Sequence, residues 1–219
     1  MSKDLLLPRL REVEPDAEHF EFNLPLVTSS SGKSYYAKIG RPAETEQYKG
    51  EIESLRLISL AASGLAPRVL SEGVDEHGRP FCISDYNHLG SLTTTSSTKL
   101  ATRLATELHS YRSEMGFGFE VPTFCGATRL KNGWYDSWET CYDALIGDLL
   151  QGLSKRATNK ALCDKGEAVR RTCVDLSFVY HDWDSIHLVA SVIPYLLRPL
   201  NVDPVLLHGD LWVKKATRL

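Results

Sequence analysis

The stretch Val205-Leu206-Leu207-His208-Gly209-Asp210-Leu211-Trp212 decides the reading of this chain. Three apolar residues read as a short strand, and Gly209 supplies the turn at which it stops. An aspartate just past such a turn projects into a cleft, where its carboxylate can accept the proton of a substrate hydroxyl. A bare His-Gly-Asp tripeptide is as readily a plain loop. With an apolar strand before it and Leu211-Trp212 after it, the functional reading of Asp210 is favoured.

Outward from that stretch, toward the N-terminus, the pattern is helical. A helix is expected from about Trp183 to Leu197, with Ile186, Val189, Ile193 and Leu196 on one side. Trp134, Trp138, Cys141, Leu145 and Leu149 mark a second, and Leu100, Leu104 and Leu108 a third. A Gly- and Pro-rich loop is expected from Gly116 to Gly133, and the last hydroxyl of the run Ser91 to Thr98 is placed to cap the third helix.

The first part of the chain has strand character instead. Phe20 to Thr28 and Ser34 to Ile39 flank the turn Ser29-Ser30-Ser31-Gly32, as in a hairpin. A helix follows from about Thr45 to Ala62, with Ile52, Leu55, Ile58 and Ala62 at helical spacing, Gly64 to stop it and Pro67 beyond. Val69 to Gly73 and Arg79 to Tyr86 read as two more strands around Asp75-Glu76-His77-Gly78. Strands first and helices second indicate an α+β protein of two lobes, residues 1–90 and 91–219, joined near Tyr86 to Ser91.

Several residues carry candidate chemistry. Lys38 ends a strand, where a lysine is commonly a solvated edge residue, and Glu51 lies thirteen positions later on the following helix. A strand lysine held by a helix carboxylate neutralises nucleotide phosphate charge, although Glu51 also fits a solvated helix face. The apolar strand Phe81 to Tyr86 fits either a core strand or one offering backbone groups to an adenine edge. Ser31-Gly32-Lys33-Ser34 resembles the end of a phosphate-binding P-loop, but Val27 stands where the first glycine belongs and a strand follows, so a hairpin turn is preferred. His109 reads as a packing or hydrogen-bonding residue rather than a catalytic one. His181 and His187, beside Asp182 and Asp184, match no metal-ligand spacing and read as a solvated polar segment. Trp134 and Trp138 read as packing residues.

Composition narrows the class. The 219 residues carry a formal net charge of −3, which gives no reason to expect nucleic acid or an anionic membrane as partner. No segment approaches the roughly 20 apolar residues that span a bilayer, and no signal peptide is evident at the N-terminus. Cys82, Cys125, Cys141, Cys163 and Cys173 are odd in number and scattered, which fits reduced thiols and a cytoplasmic location.

Taken in order, these pieces resemble the fructosamine kinase family, which shares the protein-kinase-like fold with the aminoglycoside and choline phosphotransferases. The matching stretches are Tyr36-Ala37-Lys38, Tyr48 to Leu55, Gly64 to Arg68, Phe81 to Tyr86, Leu104 to His109, Gly116 to Phe119, Thr123 to Trp138 and His208 to Trp212. The resemblance implies a small β-rich N-lobe, a helical C-lobe and ATP- and magnesium-dependent phosphorylation of the 3-hydroxyl of a ketoamine (fructosamine or ribulosamine), free or on protein. By matching position, Asp210 is the general base, Lys38 the phosphate-contacting lysine and Glu51 its partner. Asp85, Tyr86 and Asn87 form the adenine hinge, and His208 and Trp212 flank the substrate. Two departures accompany it. No glycine occurs in Phe22-Asn23-Leu24-Pro25-Leu26, where a phosphate loop is expected, and Lys214-Lys215 replace the Gly-Asn pair whose asparagine helps to hold magnesium. The reading therefore expects no metal ligands here, a C-lobe cut short after Trp212, and impaired turnover. Its alternatives are an aminoglycoside- or choline-type phosphotransferase and a non-catalytic pseudokinase that binds nucleotide or a partner.

Overall fold

The computed structural model describes residues 2–88, 90–155, 159–170 and 192–209. The chain divides into two compact units, Met1–Tyr111 with Val205–Leu219, and Arg112–Pro204.

The first unit is built on a five-stranded antiparallel sheet in the order β1-β2-β3-β5-β4. Its strands are β1 (Phe20–Asn23), β2 (Leu26–Ser29), β3 (Ser34–Ile39), β4 (Val69–Val74) and β5 (Pro80–Asp85). The expected strand from Phe20 to Thr28 is thus two strands. Pro25 interrupts it because proline has no N–H to give a ladder, and Asn23 pairs with Leu26 across the tight turn.

Register assigns the faces. Tyr35, Ala37 and Ile39 of β3 lie opposite Asp85, Ile83 and Phe81 of β5, so they share a face, and Val27 of β2 joins them through its pairing with Tyr35. That face packs against α1 (Ser2–Val13), whose Leu6 and Leu10 are fully buried in a cluster with Val27, Tyr35, Ala37, Phe81 and Ile83. Burying one leucine side chain is worth about 1.5–3 kcal/mol, so α1 is integral to this core. The sequence reading assigned α1 no structure. Lys38 lies opposite Cys82, and Cys82 opposite Glu72, so these three point to the other face.

That other face meets α2 (Thr45–Ala61), which buries Gly50, Ile52 and Ile58. Gly64 follows at φ +76, a conformation that suits glycine and ends the helix where expected. Arg56 on α2 bonds Glu72 on β4 at 3.2 Å and so ties helix to sheet. α3 (Thr94–Thr106) starts inside the hydroxyl run rather than after it. Thr93 is its cap, accepting from the Ser96 N–H at 3.2 Å. The hydroxyls of Ser97 and Thr98 bond back to carbonyls four residues earlier, which is how serine and threonine are accommodated in a helix. Leu108, which the sequence placed on this helix, is fully buried in the short 3-10 turn beyond it. Where Val205 to Leu207 was expected to be a strand, Val205 alone is a bridge residue, and the Leu206 N–H bonds the Tyr111 carbonyl at 3.0 Å.

The second unit replaces the expected loop with two strand pairs. β6 (Phe117–Phe119) pairs with β9 (Gly133–Tyr135), and β7 (Thr123–Cys125) with β8 (Thr128–Leu130). The glycines that suggested a loop make the close pairing possible: a Cβ on Gly118 would lie 1.7 Å from the Gly133 carbonyl oxygen. Trp134 therefore belongs to β9, and the helix expected to include it, α4 (Trp138–Ser154), begins after the Ser137 cap. Trp138 packs between Phe117 and Tyr142, with ring centroids 6.1 and 5.5 Å away. α5 (Lys160–Arg170) and α6 (Val192–Leu197) also pack on α4. Only the last part of the helix expected from about Trp183 lies within the described residues, as α6. The segment holding His181 and His187 lies outside them. Cys82, Cys125, Cys141 and Cys163 are free thiols, and among the described residues no helix is long and apolar enough to cross a membrane.

Candidate active site

Lys38 comes near the end of β3 and Glu51 two turns into α2, and the structure brings the two together as a hydrogen-bonded ion pair. Their meeting follows from the fold: the register turns Lys38 toward the face that α2 covers, and residue 51 lies one helical position from buried Ile52. The Lys38 side chain is 22% exposed and that of Glu51 46%. An ion pair this open holds weakly by itself, about 0–1 kcal/mol. Next to it in the sheet, the buried Cys82 thiol is pushed up to about 11 by burial, so it remains a neutral thiol at pH 7.

The Lys38 ammonium also lies over the ring of Tyr48, 4.6 Å from its centroid. Sequence reasoning missed Tyr48 as a site residue, although it stands three residues before Glu51 and hence on the same helix face. Burial, then the nearby carboxylates of Glu44 and Glu51, push the Tyr48 hydroxyl up to about 12.

At the far end of β5, Asp85, Tyr86 and Asn87 run out of the sheet. The Asp85 N–H bonds the Arg68 carbonyl at 3.0 Å and the Tyr86 N–H bonds the Ser34 carbonyl at 3.4 Å. The Asp85 carboxylate lies 3.6 Å from the Arg68 guanidinium, and the Tyr86 ring stands edge-on to His88 at 4.9 Å. Asn87 is exposed. His208 and Gly209, the latter at φ +75, are in place before the turn, while Asp210 and Trp212 lie outside the described residues. The glycine-free turn at Leu24-Pro25 joins β1 to β2. Among the described residues, no three His, Cys, Asp or Glu side chains gather as a metal site.

A five-stranded antiparallel sheet with a strand lysine held by a helix glutamate, followed by a largely helical segment, defines the α+β protein-kinase-like fold. The fructosamine kinase family model matches residues 18–219, and the chain belongs to that family. It is 25% identical over 209 residues to a candidate ketoamine kinase of Staphylococcus aureus, a match covering 95% of this chain and 64% of that one. It is 25% identical over 216 residues to the ketosamine-3-kinase of Mus musculus, covering 84% of this chain and 63% of the other. Among solved structures, a candidate fructosamine-3-kinase of Haemophilus somnus 129PT superposes with a TM-score of 0.61 at 19% identity, covering 74% of this chain and 58% of that one. The chain thus spans somewhat less than two thirds of the length of these relatives.

Proposed function

We propose that this chain carries the nucleotide site and the catalytic aspartate of a ketosamine 3-kinase. The observation that supports this best is the Lys38–Glu51 pair in a member of the fructosamine kinase family. In this reading residues 1–90 are the nucleotide lobe, and Lys38, steadied by Glu51, meets the α/β-phosphates of ATP. Leu24-Pro25 offers no glycine for close backbone approach, and Pro25 has no N–H, so phosphate charge rests more heavily on Lys38 than it would under a glycine-rich loop. The Asp85 and Tyr86 N–H groups are already bonded within the protein, which leaves Asn87 as the hinge residue whose amide meets the adenine edge.

Asp210 is the general base. The ketoamine 3-hydroxyl attacks the γ-phosphorus, a new P–O bond forms as the bond to the ADP oxygen breaks, and the hydroxyl proton passes to the Asp210 carboxylate. His208 and Trp212, on either side of Asp210, line the substrate. The product ketoamine 3-phosphate is prone to elimination, which frees the amine. Magnesium is the counter-ion that family membership implies; it would offset phosphate charge, and no step above is routed through it. Free thiols at the four described cysteines suit a reducing, cytoplasmic setting.

The test is phosphate transfer from γ-labelled ATP to ribulosyl-lysine and fructosyl-lysine peptides, with choline and an aminoglycoside as competing acceptors. Label on the sugar 3-oxygen, abolished in Lys38→Ala and Asp210→Asn, is the expected result. Transfer to choline or the aminoglycoside alone would place the chain in another branch of the fold. ATP binding with no transfer to any acceptor would identify a non-catalytic nucleotide-binding protein.

A further inference from the structure

Glu51 approaches the Lys38 ammonium from one side, and the face of Tyr48 lies against it from another. Lysine has a four-carbon stem with many rotamers, and a half-open carboxylate alone confines it loosely. An aromatic face within about 6 Å attracts a cation through the ring quadrupole and removes freedom that Glu51 leaves.

The space for that ring is specific. Gly40 lies two residues beyond Lys38, and its N–H bonds the Pro80 carbonyl at 2.8 Å. A Cβ on Gly40 would lie 2.6 Å from Cε2 and 3.0 Å from Cζ of Tyr48, and 2.9 Å from Cγ of Pro80. The missing side chain at position 40 is therefore what lets the Tyr48 ring reach Lys38. Gly40 is absent from the positive-φ glycines, so its contribution is room rather than backbone freedom. Pushed up to about 12, the Tyr48 hydroxyl stays neutral at pH 7. The attraction is that of the ring face.

We propose that Tyr48 is a positioning residue that holds the Lys38 ammonium for nucleotide phosphate, and that Gly40 is the space that admits its ring. This rests on the reading of Lys38 as the phosphate contact.

Two measurements on the full chain test it. The first is the Lys38 ε-methylene signal in a 13C-lysine-labelled sample, assigned by its loss in Lys38→Arg. A ring-current upfield shift is expected in the wild type and in Tyr48→Phe, and its disappearance in Tyr48→Leu and Gly40→Ala. An unshifted wild-type signal, or a shift that survives Tyr48→Leu, overturns the proposal whether or not nucleotide binds.

The second is the Kd of a fluorescent ATP analogue, with circular dichroism checking that each variant is folded. Tyr48→Leu and Gly40→Ala are expected to weaken binding about two- to fivefold, the range of a cation–π contact at a partly exposed site, with Tyr48→Phe restoring it. Equal loss in the Leu and Phe variants would assign the effect to the hydroxyl and overturn the proposal. A Lys38→Ala variant that binds as tightly as wild type would overturn the nucleotide reading itself, and with it the role given to Tyr48. Loss in Lys38→Ala with none in Tyr48→Leu would overturn the positioning role alone.

Discussion

Replacing Glu14 with glutamine should destabilise the protein in a way that depends on pH. Glu14 follows α1 directly, its N–H bonding the Leu10 carbonyl at 2.8 Å, and its side chain is only 6% exposed. The carboxylate accepts hydrogen bonds from the Ser31 hydroxyl at 2.5 Å and the Tyr35 hydroxyl at 2.6 Å, and pairs with Lys33 at 3.2 Å. The Ser31 bond chiefly, then that from Tyr35, hold its pKa at about 2 against an ordinary 4.5. Burial, then the bond to Glu14, raise the Tyr35 hydroxyl well above its usual value. A depression of that size corresponds to about 3 kcal/mol at most, and the solvent-exposed Lys33 side argues for about 2. Because the folded value is the lower one, this stability is fully present above pH 4.5. It drains away as pH falls toward 2, where the folded carboxylate also takes up a proton. At pH 7, Glu14→Gln should therefore lose about 2 kcal/mol, or about 4–8 °C in Tm for a chain of this size. At pH 3 the gap to wild type should be about half as large, since the unfolded wild type is by then protonated. Urea titrations followed by circular dichroism at the two pH values give both numbers. An equal gap at pH 7 and pH 3 would show that the carboxylate's charge is not what the Ser31–Tyr35 pocket stabilises.

Two further outcomes concern the second unit. Gly118→Ala places a Cβ 1.7 Å from the Gly133 carbonyl oxygen at a backbone φ of +140, so β6 and β9 must separate. A loss of about 3 kcal/mol or more is expected in thermal melts. Gly126→Ala, at φ +59 with nothing within 4 Å, should lose only about 1 kcal/mol and serves as the comparison. Ser137→Ala removes the oxygen that accepts the Thr140 N–H at 3.2 Å and should lower stability by about 1 kcal/mol, with Ser137→Asp close to wild type.

How much of this was legible in the sequence depends on how local each cause is. β4, β5 and α2 were, because runs of strand-forming residues on either side of a turn, and apolar residues at three- or four-residue spacing, are local records of each element. The paired strands between residues 117 and 135 were not, since positive-φ glycines that usually mark a loop serve there to admit a neighbouring backbone, a long-range fact. α1 was missed for a related reason: Leu5, Leu6, Leu10 and Val13 mark one face, but Pro8 interrupts the run and only the sheet shows what covers it.

The candidate site divides along the same line. Lys38 and Glu51 could be named from residue type and spacing, whereas Tyr48 acquires its place only because Gly40, just past the end of β3, leaves room for a ring. Both causes converge on β3. Tyr35 and Ala37 fasten one of its faces to α1 through the leucine cluster and Glu14, and Lys38 emerges from the other toward α2. Adjacent residues of a strand point to opposite faces, so the helix that anchors this strand and the helix that meets its lysine act on it from opposite sides. The lysine is therefore placed by contacts whose partners lie as far apart in sequence as Leu6 and Glu51, and that placement has no signature at position 38 itself.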